Sequence, residues 1–166
     1  MTAPRVELAL SVHPAALPLA EDLLLGQAAQ VLDRAGLPGR LSLVVVDDAT
    51  MRRVNRDFHA CDEPTDVLAF PLDDPECRTP DPGSFAYEVV VSLDTARREA
   101  EARGVDVAAE LMLYVTHGLL HLAGEDDHDP DAAVRMHART LEILADLGHA
   151  NSIEATDSAP DPDRAS

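Results

Sequence analysis

Two histidines stand four residues apart, His117 and His121, in the segment Tyr114-Val115-Thr116-His117-Gly118-Leu119-Leu120-His121-Leu122-Ala123-Gly124. On a helix, positions i and i+4 lie one above the other on the same face. That is the spacing two imidazoles need to share a metal ion. His128 follows beyond Gly124, a residue that can end the helix in a left-handed conformation and turn the chain back towards the same ion. Three protein ligands leave a fourth tetrahedral position for water, which is the pattern of a catalytic rather than a structural zinc. Such an ion lowers the pKa of its water to about 7 and supplies hydroxide at neutral pH. The expectation is one Zn2+ per chain, held by His117, His121 and His128. Asp127 is the alternative third ligand.

The acidic run Glu125-Asp126-Asp127 can be a solvated turn or can orient the ligand imidazoles through hydrogen bonds. Glu110 lies one heptad before His117 and reads as a solvent-facing residue, or one that orients ligands, rather than a ligand itself. In the metalloprotease motif His-Glu-x-x-His, the residue after the first histidine is the general base. Here that residue is Gly118, so peptidase chemistry is disfavoured.

The elements that must position these residues follow from periodicity. Val6, Leu8, Leu10 and Val12 alternate with more polar neighbours, as in a half-buried strand. Leu19 to Ala35 carries an apolar helical stripe and stops at Gly36. Leu41 to Val46 is a short apolar run that suits a buried strand. Asp48 to His59 is predicted helical, with Asp48 or Thr50 as its cap and Met51, Val54 and Phe58 on one face. Thr65 to Phe70 is β-prone between Pro64 and Pro71, a position for an edge strand. Leu72 to Ser84 reads as a loop and Glu88 to Leu93 as the last strand. Asp94 opens a helix that stops at Gly104, Asp106 caps the histidine helix, and Pro130 starts a final helix closed by Gly148. The order β-α-β-α-β-β-α-α-α predicts a mixed α/β (α+β) single domain. It has one sheet of about four strands, about five packed helices and a zincin-like metal helix. The third and fourth strands have no helix between them and should be antiparallel. Residues 1–149 form this domain, and residues 150–166 read as a disordered acidic tail.

Composition narrows the partners. The chain has 166 residues and a formal net charge of −18, and all 13 of its basic residues are arginine. That average field repels phosphate, so nucleic-acid contact must be local. The candidates are Arg52, Arg53 and Arg56, and separately Arg97, Arg98 and Arg103, each cluster otherwise reading as a solvated helix face. Apolar residues make up 46% of the chain but aromatics only 3%, so the core must be built from Leu, Val and Ala. Two cysteines, Cys61 and Cys77, make no disulfide framework. With no leader pattern and no apolar run long enough to span a bilayer, the expectation is a cytoplasmic protein with no membrane partner.

The stretch His-Gly-Leu-Leu-His-Leu-Ala-Gly resembles the signature H-G-x-L-H-L-x-G-Y-D-H of the YbeY family, bacterial metal-dependent endoribonucleases of ribosomal RNA maturation. A second block, Asn55 to Pro71 with Pro64-Thr65-Asp66-Val67-Leu68-Ala69-Phe70-Pro71, is similar to that family's N-x-x-[FY]-R followed by P-T-D-V-L-S-F-P. A third, Glu88 to Ala96, resembles its G-[DE]-I-x-I-S strand and the helix start after it. The blocks fall in the family's order over roughly residues 5 to 147. The resemblance implies an α/β fold, a zinc on three histidines, and hydrolytic cleavage of single-stranded RNA, especially the 3′ end of 16S ribosomal RNA. It also implies a role in ribosome maturation and quality control. By position, the ligands are His117, His121 and the histidine ending the motif.

There are three departures from the family pattern. The last histidine sits one residue later, so Asp127 occupies its register. The arginine after the aromatic is His59 here, which can serve when protonated, or Arg56 one turn earlier can reach in to stabilise phosphoryl charge. Tyr87 stands where the family has Gly. The negative charge points to delivery of RNA through a ribosomal partner or a ribosome-associated GTPase. Two other readings are a zinc hydrolase of a peptide or amide, and a non-catalytic ribosome assembly factor with a structural metal.

Overall fold

The computed structural model describes residues 5–59, 65–72 and 84–149. The predicted tail, most of the predicted loop after Leu72, and both cysteines lie outside these residues. The elements are β1 (Val6–Leu10), α1 (Glu21–Arg34), β2 (Leu41–Val46), α2 (Asp48–His59), β3 (Val67–Pro71), β4 (Tyr87–Ser92), α3 (Leu93–Arg103), α4 (Val107–Leu122) and α5 (Pro130–Asp146). The order is the one that the hydrophobic periodicity predicts.

The four strands form one sheet in the order β1-β2-β4-β3. β1 with β2 and β2 with β4 are parallel, and β3 runs antiparallel to β4. Each parallel pair is joined through a helix, as a crossover requires. β3 ends on Pro71, which cannot donate a ladder hydrogen bond, and the strand lies at the sheet edge where that loss costs least.

Side-chain alternation divides the sheet into two unequal faces. Leu41, Leu43, Val45, Val89 and Val91 point to the larger core, which is completed by α1, α3, α4 and α5, with Val67 and Ala69 packed against it. Val46, Leu68 and Val90 point the other way and meet Met51 of α2, with Val44, Val54 and Phe70 around them. α2 therefore lies across the sheet from α4.

The helix starts differ in detail: Asp106 is the N-cap of α4 as expected, but its side chain makes no capping hydrogen bond. Asp47, rather than Asp48 or Thr50, caps α2 by accepting from the Thr50 N–H at 2.8 Å. α3, predicted to open at Asp94, starts one residue earlier, at Leu93, where Ser92 caps it by accepting from the Thr95 N–H at 3.2 Å. The freed Asp48 carboxylate joins α2 to α3 instead, accepting from Ser92 at 2.9 Å, from Thr95 at 3.0 Å and from Arg98. Burial pushes the Asp48 carboxyl up, but these hydrogen bonds outweigh it and hold the group below the usual carboxylate range.

Candidate metal centre

α4 is the central helix, packed by α1, α3, α5, β3 and β4. Residues 109–112, 114–116 and 118–120 are all buried. A helix enclosed on this many sides has little room for a polar face. The histidines provide it: His117 is half-buried and His121 exposed. Their Nε2 atoms are 2.9 Å apart, and the rings meet edge to face with centroids 4.4 Å apart. Two nitrogens bound at 2.0–2.1 Å to a tetrahedral ion stand about 3.3 Å apart, so the pair needs only a few tenths of an ångström to take one ion.

Gly118 explains how α4 comes so close to the sheet. A Cβ there would meet Val67 Cγ2 at 3.1 Å, Val89 Cγ1 at 3.4 Å and Ala69 Cβ at 3.5 Å. Position 118 thus faces apolar strand side chains, and a glutamate there would be pressed into them. The missing protease base is a consequence of this packing.

The helix ends as its glycine predicts. Gly124 takes φ 93°, the Gly124 N–H donates to His121 O at 3.0 Å, and the Glu125 N–H donates to Leu120 O at 3.0 Å. This paired closure turns the chain back over the histidine face. Ligand atoms of His117, His121 and Asp127 then lie within 4.8 Å of one another, and Asp126, Asp127 and His128 form a second, overlapping group. Among the described residues, Asp127 is the member common to both. The His128 side chain is 86% exposed, and its backbone N–H donates to Asp126 Oδ1 at 2.7 Å.

Electrostatics favour the ligand form of His117. Burial pushes its pKa down and the neighbouring His121 pushes the same way, against smaller upward pulls from Asp66 and Asp127. A neutral imidazole is what a metal requires. The donor set, one half-buried imidazole of lowered pKa with a second imidazole and a carboxylate beside it, fits a divalent ion of the zinc class.

Asp66 is the site neighbour that motif reading missed. Its carboxylate accepts from the Val67 N–H at 2.8 Å and its carbonyl from the Ser92 N–H at 3.0 Å, which fixes it at the start of β3. Its only signal was a place inside the Pro64–Pro71 block.

Other candidates lie elsewhere. Arg56 stands on α2 across the sheet, exposed, with its Nε 3.6 Å from Asp57, and His59 ends that helix. Glu110 is not solvent-facing: it is 1% exposed and paired with Arg103 of α3. Arg98 pairs with Asp48, and Arg97 donates to Ala16 O at 2.6 Å. The second arginine cluster is therefore engaged inside the fold. No described helix is long and apolar enough to cross a membrane.

Comparison with known proteins gives the family of the chain. The family model described as endoribonuclease YbeY matches residues 19–148. Proteins called endoribonuclease YbeY from Myxococcus xanthus, Anaeromyxobacter sp. and Moorella thermoacetica are 44%, 38% and 34% identical to it. These matches cover 65%, 80% and 86% of this chain, and 36%, 67% and 98% of the relatives. The chain thus spans about a third of the Myxococcus protein but nearly all of the Moorella one. The solution structure of TM1509 from Thermotoga maritima superposes with a TM-score of 0.58 at 22% identity, over 93% of this chain and 97% of that one, which shows the shared fold. The chain belongs to the endoribonuclease YbeY family.

Proposed function

We propose that this chain holds one zinc ion through His117, His121 and Asp127 and cleaves single-stranded RNA, acting on the 3′ end of 16S ribosomal RNA during ribosome maturation. The observation that carries the metal reading is the close Nε2 pair on a helix whose other faces are buried, with a carboxylate turned back over it. A zinc held by these residues would supply either a water of lowered pKa for attack on the phosphodiester or polarisation of a phosphoryl oxygen for attack by the RNA 2′-hydroxyl.

The chain's own residues do the rest. His117 is kept neutral by burial and so is ready to donate its lone pair without first losing a proton. Gly118 lets α4 sit against β3, and this brings the Asp66 carboxylate close enough for its charge to act on His117. Asp127 offers a charged oxygen from a turn fixed at its start by the Gly124 closure. His128, the imidazole favoured by zinc chemistry, is the competitor for that third position. Arg56 and His59 belong to α2, across the sheet from the histidine pair, so they are assigned to phosphates of the bound strand away from the scissile one. With a net charge of −18, the chain binds free RNA weakly. Its substrate is therefore brought to it in the cytoplasm by a ribosomal protein or a ribosome-associated GTPase.

Zinc-loaded protein should cut a single-stranded oligonucleotide of the 16S 3′ end and leave the same sequence uncut in a duplex. His117→Ala should abolish both zinc retention and cleavage. Retained stoichiometric zinc in a His117→Ala, His121→Ala protein would remove the site. Asp127→Ala should weaken zinc by more than the roughly 10–100-fold typical of losing a residue that only orients a ligand, with His128→Ala doing less. The reverse order would make His128 the ligand.

A further inference from the structure

We infer that Phe58 and Phe70 form a stacking platform for an unpaired RNA base at the open edge of the sheet. The inference rests on the RNA-cleaving reading and adds a determinant of single-strand specificity to it. Aromatic residues are scarce here, with three Phe, two Tyr and no Trp in 166 residues. Yet Phe58 is 68% exposed. It continues the apolar stripe of α2, after Met51, which is fully buried, and Val54, which packs on the smaller core. The stripe runs past the area that the sheet can cover, and its last member is left with an open ring.

The ring is nonetheless held in place. It rests on Phe70 of β3 with centroids 5.1 Å apart and planes inclined at 48°. Phe70 is itself packed on the cluster of Val46, Met51, Leu68 and Val90. A ring fixed from below and open above gives a base a preorganised partner, with little side-chain entropy left to lose. Phe85 differs, because the Arg40 guanidinium lies 4.5 Å over its ring.

Placement links the platform to the metal centre. β3 carries Val67 and Ala69 against Gly118 of α4 on one face, and Leu68 and Phe70 against α2 on the other. Phe70 is three residues along the strand from Val67, on the order of 10 Å. A strand of RNA crossing the β3 edge can therefore rest a base on Phe58 while a phosphate a few nucleotides away reaches the histidine pair. Arg52 and Arg56, four apart on the outer side of α2, lie along the same helix. Stacking of this kind tolerates any base, because each has a π-face. In a duplex those faces are already stacked on neighbouring bases, so only a single strand can use the platform.

The test is the affinity of zinc-loaded protein for a fluorescein-labelled, cleavage-resistant 2′-O-methyl single strand of twelve nucleotides. Wild type is compared with Phe58→Ala, Phe58→Leu and Phe58→Tyr, with melting temperatures as the folding control. Loss of one base stack predicts binding weaker by roughly 5- to 150-fold in Phe58→Ala. Phe58→Tyr should restore it and Phe58→Leu should not, and cleavage should show the loss in KM with kcat retained. Two results overturn the proposal: Phe58→Ala binding within twofold of wild type, or full rescue by Phe58→Leu, which marks a plain apolar contact with the strand rather than a ring stack. If wild type itself neither binds nor cuts single strands, the parent reading falls as well. If wild type does both and Phe58→Ala matches it, the platform alone is refuted.

Discussion

Replacing Gly118 with alanine sets two known effects against each other at the residue that brings the metal helix to the sheet. A glycine in a helix interior costs about 1 kcal/mol relative to alanine, so Gly118→Ala gains that amount if space is free. It is not free. The new methyl would sit 3.1 Å from Val67 Cγ2, whereas carbon atoms prefer 3.5–4.0 Å, and it would touch Val89 and Ala69 at 3.4 and 3.5 Å. Val67 must yield by a few tenths of an ångström. Its β-branched side chain has few alternative rotamers, and Asp66 before it is tied by hydrogen bonds. Inserting a methylene into a packed site costs about 1–3 kcal/mol, which leaves a net loss of about 0–2 kcal/mol. With a urea slope of about 1–3 kcal/mol per molar, a 1 kcal/mol loss lowers the unfolding midpoint by roughly 0.3–1 M. Zinc affinity should fall as well, because β3 and α4 are pushed apart where Asp66 approaches His117. Gly118→Glu, which recreates the protease motif, should unfold the protein rather than make it a peptidase, since it places a carboxylate against three apolar strand side chains. A stability gain of about 1 kcal/mol in Gly118→Ala, or a wild-type midpoint in Gly118→Glu, would refute the packing argument.

Three further outcomes follow from the same structure. Arg103→Ala should cost about 3–5 kcal/mol by leaving the Glu110 carboxylate buried without its partner, and Arg103→Ala combined with Glu110→Leu should recover most of that in a double-mutant cycle of urea midpoints. Chelation should lower the melting temperature yet leave one cooperative transition, because metal at a hundredfold excess over its Kd adds only about 2.7 kcal/mol to a core that α1, α4, α5 and the sheet already form; a broad, non-cooperative melt would show that the metal is essential to folding. The folded-state pKa of His117 is lowered, so between that value and about 6.5 the unfolded chain binds more protons. The stability of metal-free protein should therefore be full above pH 6.5 and fall as pH drops below it, with a second loss below about 3.8 as Asp48 protonates; urea midpoints between pH 8 and 5 should show the first slope, and His117→Gln should reduce it to the part left by His149, whose pKa burial also lowers.

Much of this architecture was legible in the chain because it depends on local periodicity. The alternation in Val6–Leu10, the apolar run Leu41–Val46 and the prolines around β3 specify strands and an edge. The i, i+4 spacing and Gly124 specify a shared histidine face and the end of its helix. These are properties of short stretches, where backbone geometry alone decides which side chains share a face. What required the tertiary structure was every relation between segments distant in sequence. Glu110 and Arg103 sit on facing sides of adjacent helices, and their burial depends on how α3 packs against α4. Asp47 rather than Asp48 caps α2, because Asp48 is drawn to Ser92, Thr95 and Arg98, more than forty residues away. The approach of Asp66 to His117, the contact of Phe58 with Phe70 and the nearness of Asp127 to the histidine pair are likewise set by packing. Zinc chemistry by itself favours a third imidazole, but which side chain reaches the pair depends on the path of a five-residue turn, and a shift of one residue along that turn replaces one ligand with another.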